Sequence, residues 1–106
     1  MGSSTFQALL VEDDQALREA ISVTLTLGGV EHLAFECAED ALPAIDPELE
    51  QILITDFRLP GMSGLELLAQ AKSRCPQLPV VVMTAYAETS LAVQALKGGA
   101  RDFLIK

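Results

Sequence analysis

The sequence predicts an α/β fold of the doubly wound type, a parallel sheet with helices on both faces. Three observations predict it. Five short apolar runs, at residues 6–11, 30–35, 52–55, 80–83 and 103–105, are continuous and not alternating, as strands buried on both faces require. Four stretches with apolar residues at spacings of three and four lie between them, so strand and helix alternate along the chain. Four of the five runs end in polar residues, Glu12-Asp13, Asp56, Thr84 and Lys106. In such sheets ligands bind beyond the carboxyl ends of the strands, so these residues are expected to converge.

Phe6 to Val11 is the first strand, broken by Glu12, Asp13 and Asp14. Asp14 is placed to cap the next helix, whose packed stripe is expected to be Leu17, Ala20, Ile21, Thr24 and Leu25 before Gly28 and Gly29 stop it. Val30 to Phe35 gives the second strand, with His32 read as a surface residue. Ala38 to Ile45 reads as a short helix, weakened by Pro43 unless that proline falls in its first turn. Ile52, Leu53 and Ile54 form the third strand, and Asp56 stands where it ends, at the mouth of the sheet because an unpaired buried charge costs several kcal/mol, roughly. Arg58 to Gly64 is a turn-rich loop, with Pro60 and Gly61 marking the break and Ser63 placed to cap a helix over Gly64 to Arg74. That helix is expected to pack Leu65, Leu68 and Ala69. Val80 to Met83 is the most strongly apolar strand, a fourth helix runs from Thr89 to Lys97 and ends at Gly98 and Gly99, and Phe103 to Ile105 is the last strand.

The 106 residues suffice for one domain that buries roughly 60–70% of its unfolded surface. No apolar run approaches the ~20 residues of a membrane span, and the N-terminal residues lack the pattern of a signal peptide. Cys37 and Cys75 show no metal-ligand spacing and are expected to be reduced, which fits a cytoplasmic setting. A net charge of −8 repels nucleic-acid phosphates and acidic membrane surfaces, so nucleic-acid contact would need another domain.

Three carboxylates at one pocket, Glu12, Asp13 and Asp56, favour a hard cation, and Mg2+ takes few carboxylates while keeping water and phosphate oxygens as other ligands. Such a site suits a phosphoryl group. Asp56 would be the nucleophile, since a carboxylate can form an acyl phosphate once metal and ammonium neutralise the transferring group; Lys106 would supply the ammonium. The Thr84 hydroxyl could reach a phosphoryl oxygen and so differ in position between the two states.

The segments LLVEDDQALRE, ILITDFRLPGMSGLEL, VVMTAYAE and GGARDFLIK together resemble, in order, the motifs of the receiver domain of bacterial two-component response regulators. Aligned on Arg18, the acidic pair of the family falls on Glu12 and Asp13, leaving Asp14 as an extra acid. The resemblance implies a flavodoxin-like sheet of order 2-1-3-4-5 and a single receiver domain over residues 1–106, ending after the fifth strand without the family's fifth helix. It implies that Asp56 accepts phosphate from the phosphohistidine of a sensor histidine kinase, that Asp13, Asp56 and the main-chain carbonyl of Arg58 bind Mg2+, and that Glu12 acts through water. It implies further that Thr84 and Phe103 rearrange together on phosphorylation, switching an output surface that serves a DNA-binding or ATPase domain outside this chain. The stretch from Met83 to Lys106 is similar to receivers of enhancer-binding transcriptional activators. Because a fifth helix would share one face of the sheet with the first, side chains of Val80 to Met83 and Phe103 to Ile105 are expected to be bare there, and the chain to self-associate or to bind a neighbouring segment.

Two other functions use overlapping features. An aspartate-nucleophile phosphohydrolase shares the metal and acyl-phosphate chemistry, but such enzymes carry a second acid two residues after the nucleophile, where this chain has Arg58. A passive receiver-like interaction module would not need the five competent side chains at the site.

Overall fold

A computed structural model of the chain describes residues 6–84 and 89–105. In chain order the elements are β1 (Gln7–Val11), α1 (Gln15–Leu27), β2 (His32–Phe35), α2 (Ala38–Ala41), β3 (Gln51–Asp56), α3 (Gly64–Arg74), β4 (Val80–Thr84), α4 (Thr89–Lys97) and β5 (Asp102–Ile105). The five strands form one parallel sheet in the order β2-β1-β3-β4-β5, so the expected topology is observed. Right-handed crossovers in this order put α1 on one face and α2, α3 and α4 on the other.

The face under α2–α4 holds the core. Leu9, Leu53 and Val80 stand in register across β1, β3 and β4, and Val82 lies two residues beyond Val80 on the same face. These side chains are fully buried and pack with Leu67, Leu68 and Ala71 of α3, Ala38 and Ala41 of α2, and Ala95 of α4. The buried stripe of α3 is Gly64, Leu67, Leu68 and Ala71, the positions i, i+3, i+4 and i+7 of one helical face. Of the stripe expected from sequence, Leu68 is buried, Leu65 is half-buried and Ala69 is exposed. Leu67 takes the place assigned to Ala69 because the face starts from Gly64, which must lie against β3.

On the other face α1 buries no residue completely. Leu17, Ile21 and Leu25 form a half-buried line, whereas Ala20 and Thr24 are exposed, and the Thr24 hydroxyl donates back to the Ala20 carbonyl at 2.9 Å. The second helix is shorter than expected. It ends at Ala41 and tightens into a 3₁₀ turn over Leu42–Ala44, because Pro43 lacks the N–H that an α-helix would use and is tolerated at the start of the 3₁₀ turn. The side chains expected to be exposed on this face are mostly covered. Met83 is 8% exposed and Val81 half-buried, while of Phe103 to Ile105 only Leu104, the register partner of Met83 on the edge strand β5, points to this face, and it is 49% exposed; Phe103 and Ile105 point to the face of Val82.

Cys37 and Cys75 are free thiols, the first half-buried and the second buried. His32 is half-buried, with Nδ1 3.1 Å from the Val30 carbonyl. No helix among the described residues is long and apolar enough to cross a membrane.

Candidate functional site

Register brings the acids together. Val11 pairs with Thr55, so Glu12 and Asp56 leave the sheet at the same level on neighbouring strands. Carboxylate oxygens of Glu12, Asp13 and Asp56 all lie within 4.8 Å of one another. Glu12 is fully buried and Asp56 is 7% exposed, while Asp13 faces solvent. Both buried acids lie deeper than the mouth-of-the-sheet position their charge suggests, because Asp56 is the last residue of β3 and Glu12 still donates its N–H to the Phe35 carbonyl of β2 at 3.0 Å.

The turn after β1 is tied down by its own residues. Asp14 caps α1 as expected, its Oδ1 accepting the Leu17 N–H at 3.1 Å, and its own N–H donates to Glu12 Oε2 at 3.1 Å. The extra acid thus serves the helix. Arg18, one turn into α1, donates to the Glu12 carbonyl at 2.8 Å and to the Asp13 carbonyl at 3.5 Å. Its charge supports the acidic turn through the main chain.

Asp56 leads into the loop of Phe57 to Ser63. Phe57 donates its N–H to the Met83 carbonyl of β4 at 2.7 Å, and its carbonyl accepts the Gly64 N–H at 3.0 Å, closing the loop at its base. Only glycine fits at residue 64, where a Cβ would collide with the Asp56 carbonyl oxygen and come within 3.0 Å of the Phe57 Cα. Ser63 and Glu66 form a reciprocal capping box at the start of α3. Arg58 is exposed in this loop. At its tip the Met62 N–H donates to Glu39 Oε2 of α2 at 3.2 Å.

Thr84 ends β4 one residue beyond Met83, the register partner of Asp56, and is 1% exposed. Thr84 pairs with Ile105, and Phe103 with Val82; Phe103 is half-buried against the core. The structure therefore gathers Glu12, Asp13 and Asp56, sets Thr84 on the adjoining strand, and places Phe103 two residues before the register partner of Thr84. Lys106, read from sequence as the ammonium, lies outside the described residues, as does Tyr86. Glu39, Gly64 and the main-chain role of Arg18 were not legible as site features. A glycine at the first position of α3, where alanine would favour the helix, was the one available signal.

The donor set fits a small hard cation. An octahedral Mg2+ with oxygens at about 2.0–2.1 Å spans roughly 4 Å from one ligand to the opposite one. The spread of the three carboxylates, within 4.8 Å, is close to that, and exposed Asp13 leaves an approach from solvent.

The structure is thus a doubly wound parallel sheet with an acidic cluster at the carboxyl end of its strands. The chain belongs to the response regulator receiver domain family, whose sequence model matches residues 8–106. It is thus the signalling domain of a two-component system. It is 50% identical over 100 residues to the response regulator protein FleR of Pseudomonas aeruginosa, covering 94% of this chain and 21% of that protein. It is 40% identical over 99 residues to the DNA-binding transcriptional regulator NtrC of Klebsiella pneumoniae, covering 93% of this chain and 21% of that one. The chain spans about a fifth of the length of these relatives. Among solved structures, a response regulator from Burkholderia pseudomallei with a phosphorylated aspartic acid, calcium ion and citrate superposes with a TM-score of 0.85 at 28% identity, covering 94% of this chain and 59% of that one.

Proposed function

We propose that residues 1–106 form one receiver domain in which Asp56 takes a phosphoryl group from the phosphohistidine of a sensor histidine kinase in a Mg2+-dependent reaction. The observation that carries this reading is the closeness of three carboxylates, two of them buried, at the carboxyl end of a parallel sheet. The phosphorylated aspartic acid and calcium ion of the Burkholderia relative support it.

In this reading Asp13, Asp56 and the Arg58 carbonyl would hold Mg2+, with Glu12 acting on it through water. When bound there, Mg2+ would supply neutralisation of charge on the transferring phosphoryl oxygens. An Asp56 carboxylate oxygen attacks phosphorus, the bond from phosphorus to the histidine nitrogen breaks, and an acyl phosphate forms on Asp56. The Lys106 ammonium binds a phosphoryl oxygen, and the Thr84 hydroxyl donates to another. Thr84 shifts as it does so, and Phe103 moves with it to change the output surface around α4 and β5. The domain catalyses its own phosphorylation and dephosphorylation and does not turn over free substrates.

The partner that reads this surface is an output domain, DNA-binding or ATPase, in a transcriptional regulator of the kind NtrC represents; the receiver itself touches neither nucleic acid nor membrane and works in the cytoplasm. Incubation with Mg2+ and a small phosphodonor such as acetyl phosphate, followed by intact-mass measurement, tests the proposal. One stable added phosphate, absent in Asp56→Asn, is expected. No phosphate would indicate a passive module, and rapid consumption of the donor a phosphohydrolase.

A further inference from the structure

Glu39 stands in the first turn of α2, far in sequence from the acids, and is exposed. Its Oε2 accepts the Met62 N–H at 3.2 Å across 23 residues. The preceding residue, Gly61, has φ +75, and a Cβ there would meet the same Oε2 at 2.7 Å. The carboxylate therefore lies against the Gly61–Met62 peptide, at the tip of the loop that follows Asp56. The base of that loop is closed between Phe57 and Gly64, so Glu39 supplies a second tether at the far side. The platform behind it is rigid, because Ala38 and Ala41 on the same short helix are fully buried in the core.

We propose that Glu39 is a positioning residue: by holding the Gly61–Met62 peptide it fixes the Arg58 carbonyl relative to Asp56 before the metal arrives. The proposal rests on the reading of this loop as part of a Mg2+ and phosphoryl site. Without the tether the loop must be ordered when the ion binds, which weakens binding without altering the chemistry once the ion is in place. The effect therefore falls on the Mg2+ concentration that the reaction requires and not on its rate at saturating Mg2+.

The test compares the 106-residue chain with Glu39→Ala, Glu39→Asp and Glu39→Gln. Asp keeps the charge and loses the reach, whereas Gln loses the charge and keeps an acceptor oxygen at the same distance. The readouts are the Mg2+ concentration for half-maximal phosphorylation by acetyl phosphate, Mg2+ affinity by calorimetry, and hydrogen exchange of the Met62 amide. Ala and Asp are expected to raise the half-maximal Mg2+ concentration roughly three- to tenfold, the range one hydrogen bond of ordinary net strength produces, and to speed Met62 exchange. Gln, a neutral and weaker acceptor at the same reach, is expected to fall between wild type and Ala on all three readouts. Loss in Gln equal to that in Ala would assign the effect to charge and overturn the proposal. Unchanged Met62 exchange in Ala and Asp would overturn it as well. A wild-type chain that takes up no phosphate would sink the proposed function instead, while calorimetry and Met62 exchange still decide the role of Glu39.

Discussion

Replacing Asp56 by Asn should make the metal-free domain more stable while abolishing phosphorylation. The carboxylate oxygens of Asp56, Glu12 and Asp13 lie within 4.8 Å, and two of the three residues are buried. At that separation a pair of unit charges repels by about 0.9 kcal/mol in water and about 3.5 kcal/mol at the effective dielectric of a protein interior. The pair of Asp56 with buried Glu12 falls toward the upper figure, and the pair with exposed Asp13 toward the lower. An ammonium from Lys106, which the proposed site includes, offsets part of the repulsion, so the net gain in Asp56→Asn should be about 1–2 kcal/mol. For a domain of this size each kcal/mol raises Tm by about 4–8 °C. Urea unfolding followed by circular dichroism, in chelator and in Mg2+, measures it. In chelator the variant should unfold at higher urea. Saturating Mg2+ at 100 times its Kd should add about 2.7 kcal/mol to the wild type and less to the variant, closing or inverting the difference. A variant less stable than wild type in chelator would refute the argument, because the acids would then not be repelling one another in the folded state.

Gly64→Ala forces a Cβ into the Asp56 carbonyl oxygen, so it should cost about 1–3 kcal/mol of stability and slow phosphoryl uptake, checked by urea unfolding and intact mass. Equal stability and equal uptake would mean that the base of the loop opens without cost. Arg58 and Tyr86 lie two residues beyond Asp56 and Thr84, and if both shade the phosphoryl group from water, the double replacement by Ala should speed dephosphorylation with little change in Mg2+ affinity. Unchanged or slower loss of phosphate would remove that idea. At Cys37 the Asp40 N–H favours the thiolate, but partial burial and the carboxylates of Asp40 and Glu39 outweigh it and raise the thiol above its ordinary value. A raised value leaves less thiolate at a given pH, so iodoacetamide labelling at pH 8 should be slower than for a free thiol and faster in Asp40→Asn; labelling at the free-thiol rate in the wild type would contradict this.

The order of elements was legible because the strands are short apolar runs, four of the five ending at a polar residue, and the boundaries of α3 and α4 followed from Ser63 and from the Gly98-Gly99 pair. The acids were legible for the same reason, as charges where apolar runs stop. Burial within helices was less so: the sequence offered Ala69 as readily as Leu67, and only the docking of Gly64 against β3 selects between them. Pro43 marked a weakness in the second helix without showing that the chain would continue as a 3₁₀ turn. Contacts between segments distant in sequence left no local trace, which is why Glu39 escaped notice. Its neighbours in sequence say only that a helix starts there with acids in its first turn, a common arrangement that needs no loop to hold.

The short circuit between Phe57 and Gly64 bears on what this segment can become. Surface connections usually accept added or deleted residues, since each end is free to take up the slack. Here both ends are committed: Phe57 is bonded to β4 on one side, and Gly64 presses on the carbonyl of Asp56 on the other. One residue more or less between them would shift the capping box, rotate α3 by about 100° about its axis, and turn its apolar face away from the sheet. The segment should therefore vary in side chains and hold its length, and an insertion library scanned along the chain should find it closed to insertions while the exposed residues 47–50 before β3 remain open to them.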